Sequence, residues 1–318
     1  MNTGLKTVQK SRIGSNAGSS ILKEIAQAKY LYLLVLPGII YYIVFNYFPI
    51  YGITVAFKEF KANLGIIGSP WVGLKNYELV FRDPYFLQAT YNTIVISLQR
   101  IIFQFPFPII IALFLNELAI GPYKRILQTV YTFPYFLSWV IVSGILVNFL
   151  ATDGALNQVA MLIGFEPHNY LADAGIFRPI LYITENWKNA GWQSIIYMAT
   201  IASISEEQYE AATIDGATRF QKMIYITLPS IRSTIVILLI LSIGRVMNAG
   251  FEQIFNMQNP AVQGVSDILD TYIYRITFQG PADFGFSTAI GLFKSVINFI
   301  FLVASDRLAK MAGEKGLF

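Results

Sequence analysis

Residues 203–229 read S-I-S-E-E-Q-Y-E-A-A-T-I-D-G-A-T-R-F-Q-K-M-I-Y-I-T-L-P, and how they are read decides the fold. This is the most polar interior segment of the chain, and an apolar run of membrane-spanning length flanks it on each side. Two helix-start signals lie inside it. Ser205 with Gln208, and Thr218 with Gln221, each have the form of a capping box, in which two orphan N–H groups are satisfied reciprocally. Between them, Asp215-Gly216 predicts a turn, because glycine takes the left-handed conformation that ends a helix without steric cost. Pro229 has no N–H to donate, so it stops the second helix or starts the next. The expected structure is two short helices at a bend outside the bilayer. Tyr209, Ala211, Ala212, Ile214, Ala217, Phe220, Met223 and Ile224 would form an apolar knob that another protein could grip. Periodicity alone also allows an ordinary loop with a short amphipathic helix.

Composition narrows the class. The chain has 318 residues, 55% hydrophobic and 13% charged, whereas a soluble domain carries about a quarter charged residues. That deficit, with several long apolar runs, predicts an all-α integral membrane protein. The net charge of +4 is small and does not call for nucleic acid. With no cysteine, disulfides, thiolate metal sites and a cysteine nucleophile are excluded. The single histidine, His168, stands beside Pro167 in an expected external loop, where a solvated residue is a better reading than a ligand.

Taken in order, residues 1–29 form a polar, basic tail, and 30–88 hold a first span and an aromatic external loop. Residues 89–306 form a transmembrane core that includes the 203–229 loop, and 307–318 form a second tail. Six spans are expected, at 30–57, 89–116, 126–150, 179–203, 231–256 and 286–304, each near the ~20 residues that cross the hydrocarbon core. Phe105-Pro106-Phe107-Pro108 predicts a kink in the second. No internal repeat is visible, which argues against the inverted-repeat secondary transporters. With the N-terminus inside, cytoplasmic pieces carry thirteen Lys and Arg and external pieces six, although the external loops are longer. That bias puts both termini and the Glu210 loop in the cytoplasm.

Arg100, Lys188, Arg245 and Lys294 fall inside spans, as do the acids Glu185 and Glu252. Charge in a bilayer is costly enough to suggest function. The blander alternative is that Lys188 pairs with Glu185 and Arg245 with Glu252, or that the cations snorkel to the interface. The chain has no G-x-x-x-x-G-K-[ST], H-E-x-x-H or G-x-S-x-G, so it does not hydrolyse ATP itself and is a poor candidate for any enzyme. A secondary transporter or channel is the more serious rival from composition.

Glu210-Ala211-Ala212, Asp215-Gly216-Ala217 and Ile226-Thr227-Leu228-Pro229 together resemble the EAA motif of carbohydrate-type, binding-protein-dependent ABC importer permeases, the maltose-type family. The stretch 69–81 also resembles an external loop of sugar permeases, although aromatics at headgroup level explain it equally well. The resemblance extends over about 30–306 and looks closest to the branch for oligosaccharides released from plant or algal polysaccharides. It implies a type I importer transmembrane domain in a prokaryotic cell membrane, with Glu210, Ala211, Ala212, Asp215, Gly216, Ala217, Leu228 and Pro229 docking on an ATPase. It further implies as partners a second homologous permease, two cytoplasmic ATPase subunits that carry ATP and Mg, and an external solute-binding protein. This chain itself needs no cofactor. Ungapped alignment on Glu210 puts Lys188, Trp192, Ser242 and Arg245 at the family's sugar-contacting positions. Arg245 departs from the family, standing where the maltose-type protein has an aromatic residue. A guanidinium matches a carboxylate, so an acidic, uronate-containing oligosaccharide is the expected substrate and a neutral one the alternative.

Overall fold

The computed structural model describes residues 28–118, 121–314, 316 and 317. Those residues divide into two compact units, one ending at Thr54 and one beginning at Val55. Most of the expected tail 1–29 lies outside the described residues.

The described chain opens on an apolar helical stretch that runs through the first unit and ends just inside the second. An α-helix, Lys29–Tyr42, passes into a π-helical turn, Ile43–Tyr47, and then into the 3-10 helix Phe48–Phe57. Pro49 lacks the N–H that an α-ladder would need there, which explains the change of hydrogen-bond register. Lys29–Tyr42 buries none of its residues. A helix that apolar and that bare is suited to lipid or to another chain, not to water.

The second unit is all helix; among the described residues its only β pairing is an isolated bridge between Lys58 and Trp71. Asp83 opens its first long helix by accepting from the N–H groups of Tyr85 (2.7 Å) and Phe86 (3.2 Å), with Pro84 at the first turn. The helix Pro84–Gln104 hands over to Pro106–Glu117 at Phe105, which keeps helical dihedrals, so the two run on as one stretch of 34 residues at the place where the prolines suggested a kink. The central element is a 25-residue helix, Phe177–Ile201. Ile96, Phe177, Leu181, Trp139, Val142 and Ile254 form one buried cluster around it. The last long helix, Phe284–Met311, starts on an Asp283 cap and runs seven residues past the expected end of the sixth span.

Two expected spans are not single helices. The run 126–150 is split: Pro122–Thr132 ends in a 3-10 turn, Phe133–Phe136, and a new helix, Trp139–Leu150, starts on a Ser138 cap. Pro134 sits in that turn, and Leu137 is extended. The run 231–256 is also split. Arg232–Ile243 stops at Gly244, and Phe251–Met257 begins after Gly250, whose φ is +85°. By length and apolarity four stretches among the described residues are able to cross a membrane, five if the bent pair Arg219–Ser230 and Arg232–Ile243 counts as one. Phe177–Ile201, about 37 Å at the α-helical rise, is long enough but too polar to join them.

Candidate functional site

The 203–229 segment builds its own frame. Ser205 is extended, and Glu206–Ile214 follows with two acids in its first turn, where the helix dipole favours negative charge. The Ser205 side chain makes no capping bond, so the first expected capping box is absent. Gly216 takes φ +79°, and Ala217 N–H donates to the Ala212 carbonyl at 2.9 Å. That i to i−5 bond around a left-handed glycine is a Schellman stop. The second capping box is complete: Gln221 N–H donates to Thr218 Oγ1 (3.3 Å), and Thr218 N–H to Gln221 Oε1 (2.7 Å). Arg219–Lys222 then passes through a π-helical turn, Met223–Thr227, into Leu228–Ser230, and the chain bends by 60° into Arg232–Ile243. Tyr209 Oη lies 2.9 Å from Thr227 Oγ1, and Lys222 Nζ donates to Thr213 Oγ1, tying the two arms together.

What this frame presents is a bare knob. Glu210, Ala211, Asp215, Gly216, Leu228 and Pro229 are exposed, while Ala212 and Ala217 are half-buried beneath them. Glu210 makes no ion pair among the described residues. Ile214 is 86% exposed, Phe220 66% and Tyr225 75%, apolar side chains left uncovered by the described residues. Tyr225 belongs with them, although the sequence reading left it out; its place follows from the π-turn, which shifts the helical phase by one residue.

The candidate sugar-contacting residues are dispersed. Lys188 is 6% exposed, and its ammonium donates to the Tyr135 carbonyl at 2.9 Å. It also lies over the rings of Tyr135 (5.3 Å) and Trp139 (5.6 Å). Trp192, one turn further on the same helix, stacks face to face on Tyr135 at 4.5 Å and 5°, with Phe136 edge-on at 5.6 Å. The central helix approaches this closely because residue 191 is glycine; a Cβ there would stand 2.0 Å from the Tyr131 carbonyl oxygen. Ser242 is half-buried and donates to the Leu238 carbonyl of its own helix at 2.9 Å. Arg245 is exposed in the turn that breaks the fifth span and has no ion pair among the described residues. No hydrogen bond, ion pair or ring contact joins Ser242 or Arg245 to Lys188 or Trp192.

Neither of the ion pairs offered by the blander alternative forms. Glu185 accepts from Asn189 Nδ2 at 2.7 Å and stands 4.0 Å from Arg100, while Glu252 is exposed and unpaired among the described residues. Arg100 also donates to Gln253, which is 0% exposed and itself donates to the Leu181 carbonyl (2.9 Å) and Thr184 Oγ1 (2.8 Å). The guanidinium lies against Gly250, where a Cβ would meet it at 2.1 Å. The functional geometry that the sequence did not give is therefore Tyr135 with Phe136, and Arg100 with Gln253. A Pro-Tyr-Phe triplet inside an apolar run was the only local signal for the first. A cavity of about 1220 Å³ is walled mostly by aromatic and aliphatic side chains, and none of Lys188, Trp192, Ser242 and Arg245 lines it. In the loop before Phe177–Ile201, His168 Nε2 is 2.9 Å from Asp173 Oδ2, and no metal-holding cluster occurs among the described residues.

Residues 104–312 match the family described as binding-protein-dependent transport system inner membrane component. The chain is 41% identical over 319 residues to protein LplB of Bacillus subtilis (strain 168), covering 99% of this chain and 100% of that one. It is 42% identical over 299 residues to the polygalacturonan/rhamnogalacturonan transport system permease protein YteP of the same organism, covering 94% and 93%. Among solved structures, it superimposes with a TM-score of 0.85 and 35% identity on a chain of a bacterial alginate ABC transporter in complex with an alginate pentasaccharide-bound periplasmic protein, covering 93% of this chain and 99% of that one. The chain thus belongs to the family of binding-protein-dependent transport system inner membrane components, as a sugar-type ABC transporter permease.

Proposed function

We propose that this chain is one half of the membrane path of an ATP-driven importer of acidic oligosaccharides, and that the 206–229 knob is where a cytoplasmic ATPase subunit docks. The observation that carries the coupling role is the knob itself. Its bend is capped on both sides, by the Gly216 stop and the Thr218 box, it presents Glu210 without an ion pair among the described residues, and Ile214, Phe220 and Tyr225 are exposed apolar side chains on it. Small residues at Ala211 and Gly216 permit close backbone approach, and Glu210 offers a carboxylate to a basic groove. ATP and Mg belong to that partner. Both termini and the knob lie in the cytoplasm, in keeping with the excess of basic residues on that side. Closure of two ATPase subunits would draw two such knobs together and open the path outward, towards a sugar-loaded binding protein.

The second permease is a different chain. Arg245 is already exposed and unpaired here, and two copies would bring like charges towards one axis in a poorly screened cavity. The acidic substrate also rests on Arg245, a planar fork open to a carboxylate, with Trp192 offering an aromatic face to a pyranose ring. The names of YteP and of the alginate transporter favour the same class. Lys188 acts through the Tyr135 carbonyl, holding the Tyr135–Trp192 platform in place, and Ser242 lines the path. A neutral oligosaccharide is favoured by one observation, that the Lys188 ammonium is already engaged.

The coupling role is tested by Glu210→Lys in the reconstituted complex of both permeases, ATPase and binding protein. Sugar-stimulated ATP hydrolysis should be abolished while the binding protein's own affinity for sugar is unchanged. Normal stimulation would overturn the docking assignment.

A further inference from the structure

A second, smaller cavity lies far from the knob and is used by nothing described so far. Its volume is about 180 Å³, room for about six waters at their liquid volume, which suits one sugar ring better than a chain of them. It sits between the helices Phe251–Met257 and Leu269–Phe278. Phe255 and Tyr274 form one wall, their rings 4.7 Å apart and edge to face. Three glutamines, Gln258, Gln263 and Gln279, line it together with Asn259, Pro260, Thr271 and Arg275. None of the three glutamine side chains makes a hydrogen bond among the described residues, and Gln258 Oε1 is buried without a partner. A buried acceptor left in that state is destabilising, so it marks a place where a donor belongs.

The cavity also has a side. Arg232, at the exit from the knob, pairs with Glu314 at 2.6 Å, just beyond the helix Phe284–Met311. That helix has 28 residues, about 42 Å at the α-helical rise, and Gln279 lies just before its other end. With the knob in the cytoplasm, the cavity faces outside.

Amide side chains both donate and accept, as sugar hydroxyls do, and an aromatic wall suits the C–H face of a pyranose. The one cation at the rim, Arg275, is neutralised by two bonds to Asp267, at 3.1 and 2.6 Å. We infer that this cavity is an outer subsite for a single sugar ring of the incoming oligosaccharide, reading hydroxyls and indifferent to charge. It would hold one ring at the mouth of the path. The inference rests on the reading of the chain as an oligosaccharide permease.

The absence of native cysteine makes a clean test. Gln279 is exposed, so Gln279→Cys puts the only thiol of this chain at the rim, and in the full complex in right-side-out vesicles its labelling is read on this chain after the subunits are separated. A membrane-impermeant maleimide should label it from outside. Trigalacturonate and the neutral galactotriose should slow that labelling by similar factors, about two- to tenfold for one or two hydrogen bonds. Adding Gln258→Leu should remove most of the protection and leave the sugar-free labelling rate unchanged. No labelling from outside, protection by neither sugar while uptake proceeds, protection by trigalacturonate alone, or protection that survives Gln258→Leu would each overturn the subsite. Uptake of both sugars by the native complex is measured in parallel. Protection without uptake of either would instead remove the permease reading and leave the pocket standing as a sugar site.

Discussion

The knob at 206–229 and the polar layer around the central helix are both charged regions in a chain that is otherwise mostly apolar, but they are held together in opposite ways. In the knob, each fixing contact joins residues close in sequence: Thr218 with Gln221, Ala217 with Ala212, Lys222 with Thr213, Tyr209 with Thr227. Its charged and apolar side chains are left facing outward. In the polar layer the contacts span the chain: Lys188 with Tyr135, Arg100 with Gln253, Gln253 with Leu181. There the charges are turned inward and consumed. The first region is suited to being gripped from outside. The second joins the helices Pro84–Gln104, Phe177–Ile201 and Phe251–Met257, and leaves Arg245 as the cation at the broken span.

The sharpest way to break that contrast is Arg100→Met. It strips Gln253 Oε1 of its donor and leaves Glu185 without its nearest cation, both in a largely buried setting. Removing one member of a buried charged network costs about 3–5 kcal/mol. The purified complex should therefore unfold at a clearly lower temperature, or fail to assemble. Glu210→Lys, on the exposed knob, should leave the unfolding temperature where it was. If both variants unfold like the native complex, Arg100 is not part of the frame and the contrast is lost.

The same difference decides what was legible in the sequence. Capping, the glycine turn and the proline stop are local rules, and at Gly216, Thr218 and Pro229 the structure follows them. The exception is Ser205, where two acids already favour the helix start and the serine side chain makes no capping bond. Lys188 was equally visible as a charge inside a span, but helical spacing suggested Glu185. Its carbonyl partner at Tyr135 exists only because Pro134 interrupts the neighbouring helix and Gly191 admits it closely. The breaks at 133–138 and 244–250 were missed for a related reason. Apolar content runs on through them while the backbone does not, so a reading by hydropathy sees one span.

A second test sets the engaged cation against the open one. Arg245→Ala should lower uptake of an acidic oligosaccharide by about ten- to a hundredfold at limiting substrate, the worth of a charge-assisted bond of roughly 1.5–3 kcal/mol. Uptake of any neutral sugar of equal length should fall no further. Lys188→Met should act on both alike, because it releases the Tyr135 carbonyl and loosens the Trp192 platform instead of removing a substrate charge. Competing uptake of trigalacturonate and galactotriose reads the two variants directly. Equal transport of both sugars by the native complex, unchanged in Arg245→Ala, would make Arg245 structural and the substrate neutral.

The smallest effect separates the two helix starts within the knob. Thr218 Oγ1 accepts from Gln221 N–H, and Gln221 Oε1 accepts from Thr218 N–H, so Thr218→Ala removes half of a reciprocal cap. Losing an N-cap side chain costs about 0.5–2 kcal/mol. Here that cost falls on a single exposed turn, Arg219–Lys222, and not on the buried core. It should appear as local opening: the Gln221 amide should exchange with solvent about two- to thirtyfold faster, with the unfolding temperature of the complex nearly unchanged. Ser205→Ala removes a side chain that caps nothing, so exchange at 206–208 should stay as it was. The pair can be read in one hydrogen-exchange experiment on the detergent-solubilised complex. Matching acceleration at both starts would mean that Ser205 caps its helix in solution as well. Acceleration at neither would mean that the docked ATPase, rather than the capping box, holds the knob in shape.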